Sequence, residues 1–136
     1  MLEKLFGPSK RQILVADDDP TIRSLLADVL DTQGYEVTVA GDGQEAVSLF
    51  GKKKFDLIIL DVHMPRLTGI QVLEIIRVAP SGKDVGVIML TSDPMTEPWA
   101  QAHGLGVVAY MAKPFPAAKL IETVRGHFEQ KKPPLP

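Results

Sequence analysis

In the stretch 13–34, ILVADDDPTIRSLLADVLDTQG, four apolar residues (Ile13, Leu14, Val15, Ala16) run without interruption into three aspartates, Asp17, Asp18 and Asp19. A run that is apolar at every position, rather than at alternate ones, is how a strand covered on both faces reads. A helical pattern follows at once. Ile22, Leu25, Leu26, Val29 and Leu30 recur at the spacing of one helix face. Asp19 before Pro20 suits an N-cap followed by the first helical position, and Gly34 supplies a C-terminal stop. The stretch therefore reads as strand, acidic turn and helix, the opening of a strand–helix–strand unit.

The alternation continues along the chain. Further apolar runs lie at Tyr35 to Ala40, Leu57 to Leu60, Gly86 to Leu90 and Val107 to Ala112. Asp42 and Glu45 suggest a capping box ahead of Ala46, Val47 and Phe50; Thr68 and Gln71 make a stronger one ahead of Ile70, Leu73 and Ile76. The fourth helix is the weak one, because Pro94, Pro98 and Gly104 confine it to about two turns between Glu97 and Gly104. A last helix starts near Pro116 and carries Leu120, Ile121, Val124 and Phe128 on one stripe. Strands alternating with helices predict an α/β fold with a parallel sheet and helices on both faces.

Composition narrows the function. The 136 residues support one domain, here expected over 11–130, with an N-terminal extension at 1–10 and a proline-rich tail at 131–136. Seventeen acidic against fifteen basic side chains argue against a dedicated nucleic-acid binder. The absence of cysteine excludes a disulfide scaffold, thiol catalysis and thiolate metal sites. No apolar run approaches the ~18 residues of a membrane helix. The start, MLEKLFGPSK, lacks the apolar segment of a secretory signal. A cytoplasmic protein is expected.

In open parallel sheets, ligands sit outside the carboxyl ends of the strands. The first strand ends at Asp17, Asp18 and Asp19, the third at Asp61, the fourth at Thr91 and Ser92, and the fifth at Lys113 and Pro114. Singly, each has an ordinary explanation as a cap, turn acid or surface lysine. Together they make a cation site beside a phosphate site. Carboxylates about 5 Å apart repel by roughly 3 kcal/mol per pair at an effective dielectric near 20, so the cluster favours a cation. All-oxygen ligands of this kind suit Mg²⁺. Asp61 beside such an ion is a candidate nucleophile toward phosphorus, with the Thr91 hydroxyl and Lys113 ammonium placed for phosphoryl oxygens.

ILVADDDP, LIILDVHMPRLTG, VIMLTS and YMAKPF, in that order, resemble the signatures of the response-regulator receiver domain of two-component signalling, from about Ile13 to Phe128. The resemblance implies a doubly wound, flavodoxin-like five-stranded sheet in the order 2-1-3-4-5. It implies that Asp61 is the phosphoacceptor. Asp18 and Asp61 would bind Mg²⁺ directly, Asp17 mostly through water, and His63 through its main-chain carbonyl. Asp19 falls beyond the acidic pair as a helix cap. Thr91 and Tyr110 take the switch positions, Lys113 contacts the phosphoryl group, and the Lys113–Pro114 bond is cis. His63 and Asp93 stand where relatives tune the lifetime of the acyl phosphate.

The implied activity is phosphoryl transfer from a histidine kinase or phosphotransfer protein to Asp61, in a chain that assists only its own phosphorylation and dephosphorylation. The surface of the fourth helix, fifth strand and fifth helix would then signal to an output domain or protein, with a phosphorylation-dependent dimer as a further expectation. No nucleic-acid or membrane contact is expected. Two rival readings stay open. Asp17-x-Asp19-x-Thr21 also fits a haloacid-dehalogenase-like phosphohydrolase with Asp17 as nucleophile and Asp19 as acid/base, its further acids limited to Glu122 and Glu129. A phosphorylation-independent binding module is the other. At the ends, Leu2, Leu5 and Phe6 form one apolar turn, and PPLP resembles a polyproline ligand core.

Overall fold

The computed structural model describes residues 10–92 and 104–130. Its elements are β1 (Gln12–Ala16), α1 (Pro20–Thr32), β2 (Glu36–Ala40), α2 (Gly43–Phe50), β3 (Leu57–Asp61), α3 (Gly69–Val78), a short 3₁₀ turn (Pro80–Gly82), β4 (Gly86–Thr91), β5 (Ala109–Ala112) and α4 (Ala117–Gln130). The five strands form one parallel sheet in the order β2-β1-β3-β4-β5. The expected α/β architecture and strand order are both present. The short helix expected near 97–104, Asp93, the N-terminal apolar turn and the PPLP tail lie largely or wholly outside the described residues.

Alternate residues of each strand face opposite layers. Leu14, Ala16, Ile58, Leu60, Val87 and Met89 pack with α2 and α3 on one face. Ile13, Val15, Leu57, Ile59, Ile88 and Leu90 pack with α1 and α4 on the other. The three central strands are covered on both faces, which explains their unbroken apolar runs. Removing a Leu or Ile side chain from water contributes about 1.5–3 kcal/mol, so these strands make a rigid frame for whatever stands at their ends.

The caps follow the sequence with one difference. Asp19 caps α1 by accepting from the Thr21 amide, with Pro20 at the first helical position. Gly34, at φ 88°, takes the left-handed conformation that ends the segment cheaply. The Thr68–Gln71 box on α3 is complete. On α2, however, Asp42 accepts from the Glu45 amide at 2.8 Å, while the Glu45 carboxylate reaches past Asp42 to the Gly41 amide at 2.7 Å. Leu25, expected on the buried stripe of α1, is 41% exposed, because Leu26 and Leu30 carry the contact. The fifth strand starts at Ala109, two residues later than the apolar run.

Gly69 opens α3 against the end of β3. A Cβ there would overlap the main-chain carbonyl oxygen of Asp61, so the helix sits this close only because the residue is glycine. Gly69→Ala is expected to cost about 3 kcal/mol by overpacking. Gly126→Ala on α4, where an added Cβ meets nothing within 4 Å, should instead gain up to about 1 kcal/mol from helix propensity. Urea denaturation of the two variants against wild type checks both signs.

Candidate functional site

Parallel pairing carries the ends of β1, β3, β4 and β5 to one edge of the sheet. The Asp17 amide donates to the Ala40 carbonyl at 3.2 Å, extending the ladder one step past β1. Asp17 is wholly buried, and its Oδ1 accepts from the Asp19 amide at 2.9 Å. Asp61 is the last residue of β3 and 5% exposed. Next to it the Val62 amide donates to the Leu90 carbonyl, and the Lys113 amide donates to the Thr91 carbonyl, each at 2.8 Å. These bonds lock the exits of β3, β4 and β5 together.

Lys113, beyond β5, reaches back across the end of β4. Its Nζ lies 2.7 Å from Asp17 Oδ2 and 3.3 Å from Asp61 Oδ2. Asp17, Asp18 and Asp61 each present a carboxylate oxygen, and these oxygens lie within 4.8 Å of one another. Burial first, then the neighbouring Asp17 carboxylate, push Asp61 up from an ordinary 3.8 to about 6, against the opposing pull of Lys113 and the His63 amide. Burial pulls the Lys113 ammonium down, but hydrogen bonding to Asp17 and the charges of Asp61 and Asp17 outweigh it and leave its pKa raised.

Three carboxylates converge here, and among the described residues Lys113 is the one cation paired with any of their oxygens, through Asp17 and Asp61. The donor set is oxygen only, with two buried acids and one exposed acid at the mouth. Those features fit a hard divalent cation, and Asp17, Asp18 and Asp61 are the side chains that would hold it.

Thr91 ends β4 and is 1% exposed. Tyr110 lies on β5 opposite Met89, half-buried against the core layer of α2 and α3, and burial pushes its hydroxyl pKa up. His63 is exposed, and its amide approaches Asp61 Oδ1 at 3.4 Å. The Lys113–Pro114 peptide is cis. The geometry opposes the haloacid-dehalogenase reading: Asp19, its acid/base, is occupied as the cap of α1, and Glu122 and Glu129 are exposed on α4.

Two contacts at this edge go beyond what the sequence pattern predicts. Arg23 Nη1 donates to the Asp17 carbonyl at 2.9 Å. Arg66, at φ 71°, pairs with Asp42 Oδ2 at 3.2 Å and ties the loop after Asp61 to the start of α2. A basic residue in the first turn of a helix that follows an acidic loop was the available signal for Arg23. Nothing in the pattern marks Arg66.

Comparison with known proteins agrees with this geometry. The response regulator receiver domain family matches residues 13–125. The transcriptional regulatory protein PdtaR of Mycobacterium tuberculosis is 40% identical over 118 residues, covering 84% of this chain and 55% of PdtaR. The chain thus spans about half the length of the curated relatives it matches. The chemotaxis response regulator CheY4 of Vibrio cholerae superposes with a TM-score of 0.82 at 32% identity, over 87% of this chain and 98% of that one. The response regulator TrrA of Thermotoga maritima, solved in complex with Mg²⁺-BeF, gives 0.76 at 35% identity, over 85% and 97%. No helix among the described residues is long and apolar enough to cross a membrane. With its fold, its acidic pocket and these matches in agreement, the chain belongs to the receiver domains of two-component response regulators.

Proposed function

We propose that Asp61 accepts a phosphoryl group from the phosphohistidine of a histidine kinase or phosphotransfer protein. The observation that carries this reading is the single ammonium of Lys113 in contact with both Asp17 and Asp61, inside a set of three converging carboxylates. With its pKa at about 6, Asp61 is largely ionised at neutral pH and available as a nucleophile. One of its oxygens forms the bond to phosphorus as the phosphorus–nitrogen bond breaks, and the electron pair returns to the imidazole. Bound Mg²⁺, held by Asp17, Asp18, Asp61 and the main-chain carbonyl of His63, would offset the charge gathering on the phosphoryl oxygens.

Lys113 then exchanges its contact with Asp61 for one with the phosphoryl group. The Thr91 hydroxyl turns toward the same oxygens, and Tyr110 turns inward behind it. This local change of charge biases a two-state element, and the surface of β5 and α4 carries it to an output domain or protein, or to a second copy. The chain assists only its own phosphorylation and dephosphorylation, in the cytoplasm, with residues 11–130 as the folded unit and no nucleic-acid contact of its own. Incubation with acetyl phosphate and Mg²⁺ tests the reading: wild type takes up one phosphoryl group, and Asp61→Ala takes up none. Equal labelling of the variant contradicts it.

His63 stands two residues beyond the acceptor with its side chain exposed. His63→Asn is expected to lengthen the half-life of the phosphorylated form severalfold by removing a base that assists hydrolysis. Mg²⁺ affinity should stay unchanged, because the ligand is the main-chain carbonyl. Phosphate release followed after removal of the donor measures the half-life, and an unaltered value sinks this role.

A further inference from the structure

We propose that Arg23 is a positioning residue that sets the aim of Asp18 toward the divalent cation; the inference rests on the phosphoacceptor reading above. Arg23 lies in the first turn of α1, half-buried, and its Nη1 donates to the main-chain carbonyl of Asp17 at 2.9 Å. That carbonyl belongs to the planar peptide unit joining Asp17 to Asp18. Holding it fixes the rotation of the plane, and with it the direction in which the Asp18 side chain leaves the backbone.

The rest of Asp17 is tied by other groups. Its amide binds the Ala40 carbonyl, its Oδ1 accepts from the Asp19 amide, and its Oδ2 faces Lys113. Asp18 is exposed, so its aim depends on the backbone that leads into it. The fold also makes room for the guanidinium. A Cβ on Gly41 would stand 3.2 Å from Arg23 Nη1, and the Gly41 amide is held by Glu45 Oε1 at 2.7 Å. Gly41, in the turn between β2 and α2, thus lies against the guanidinium, and it contributes no ligand to the cation.

Charge and aim predict opposite signs. A guanidinium beside the acidic cluster repels a divalent cation, so its removal would tighten Mg²⁺ binding if charge alone mattered. Loss of aim weakens binding, and removing a group that orients a metal ligand typically costs about tenfold or more in affinity.

The test is a Mg²⁺ titration of the full chain, followed through the amide resonances of Asp61 and His63, with urea denaturation in EDTA as a separate reading of the fold. Arg23→Gln is expected to weaken Mg²⁺ about tenfold. Arg23→Lys, which keeps a donor able to reach the carbonyl, should recover most of that loss. Gly41→Ala crowds the guanidinium without removing it and should weaken Mg²⁺ severalfold, which keeps the proposal testable if Arg23→Gln does not fold. Folded variants that bind Mg²⁺ as tightly as wild type, or more tightly, overturn the proposal. Wild type indifferent to Mg²⁺ overturns the phosphoacceptor reading itself, and Arg23 then has no cation to serve.

Discussion

Asp61→Asn is expected to lose phosphoryl uptake completely and, in EDTA at pH 7.5, to be about 2 kcal/mol more stable than wild type. Both effects come from one carboxylate. Its pKa stands at about 6 in the folded protein against an ordinary 3.8, so folding raises its affinity for a proton. The sign follows from linkage: stability falls as pH rises from about 4 to about 6 and stays level above, because only the ionised form suffers the burial and the repulsion from Asp17. A shift of this size amounts to at most about 3 kcal/mol at neutral pH. Asparagine keeps the shape and removes the charge, so its advantage should shrink as the pH is lowered from 6 to 4. Mg²⁺ should stabilise wild type far more than the variant. Urea titrations across that range, with and without Mg²⁺, read all three effects.

Lys113→Met is expected to act in the opposite direction. The substitution leaves Asp17, which is wholly buried, facing Asp61 without the ammonium that lies 2.7 Å from one and 3.3 Å from the other. Removing one partner of a buried ion pair costs about 3 kcal/mol, since the remaining charge is left uncompensated. Asp61 should then hold its proton to higher pH than in wild type. Combining the substitution with Asp61→Asn should recover part of the loss, because the repulsion that Lys113 moderates is gone, so the two changes will not add. Denaturation midpoints of wild type, both single variants and the double variant measure that coupling.

The sheet was legible because its central strands are apolar on both faces and stop abruptly at chemically distinct residues. Asp17, Asp61, Thr91 and Lys113 each mark a strand exit, and parallel pairing carries those exits to one edge. Asp19 with Pro20, and Thr68 with Gln71, mark helix starts because capping depends on residues only two or three apart. What escaped depends on reach across the fold. Leu25 has the right spacing but falls at the margin of the contact that Leu26 and Leu30 make. Arg23 and Arg66 act through side chains aimed at a carbonyl and at a distant carboxylate, and no periodicity records such aim. Gly69 is ordinary in sequence, and only the nearness of the Asp61 carbonyl shows why a side chain is excluded there.

The acceptor carboxylate can be located chemically. Borohydride reduces an aspartyl phosphate to homoserine, so peptide mass spectrometry of wild type labelled with acetyl phosphate and Mg²⁺, then reduced, locates the acceptor directly. Homoserine at position 61 is the predicted result. Homoserine at position 17, or no reduced residue after labelling in Mg²⁺, contradicts it.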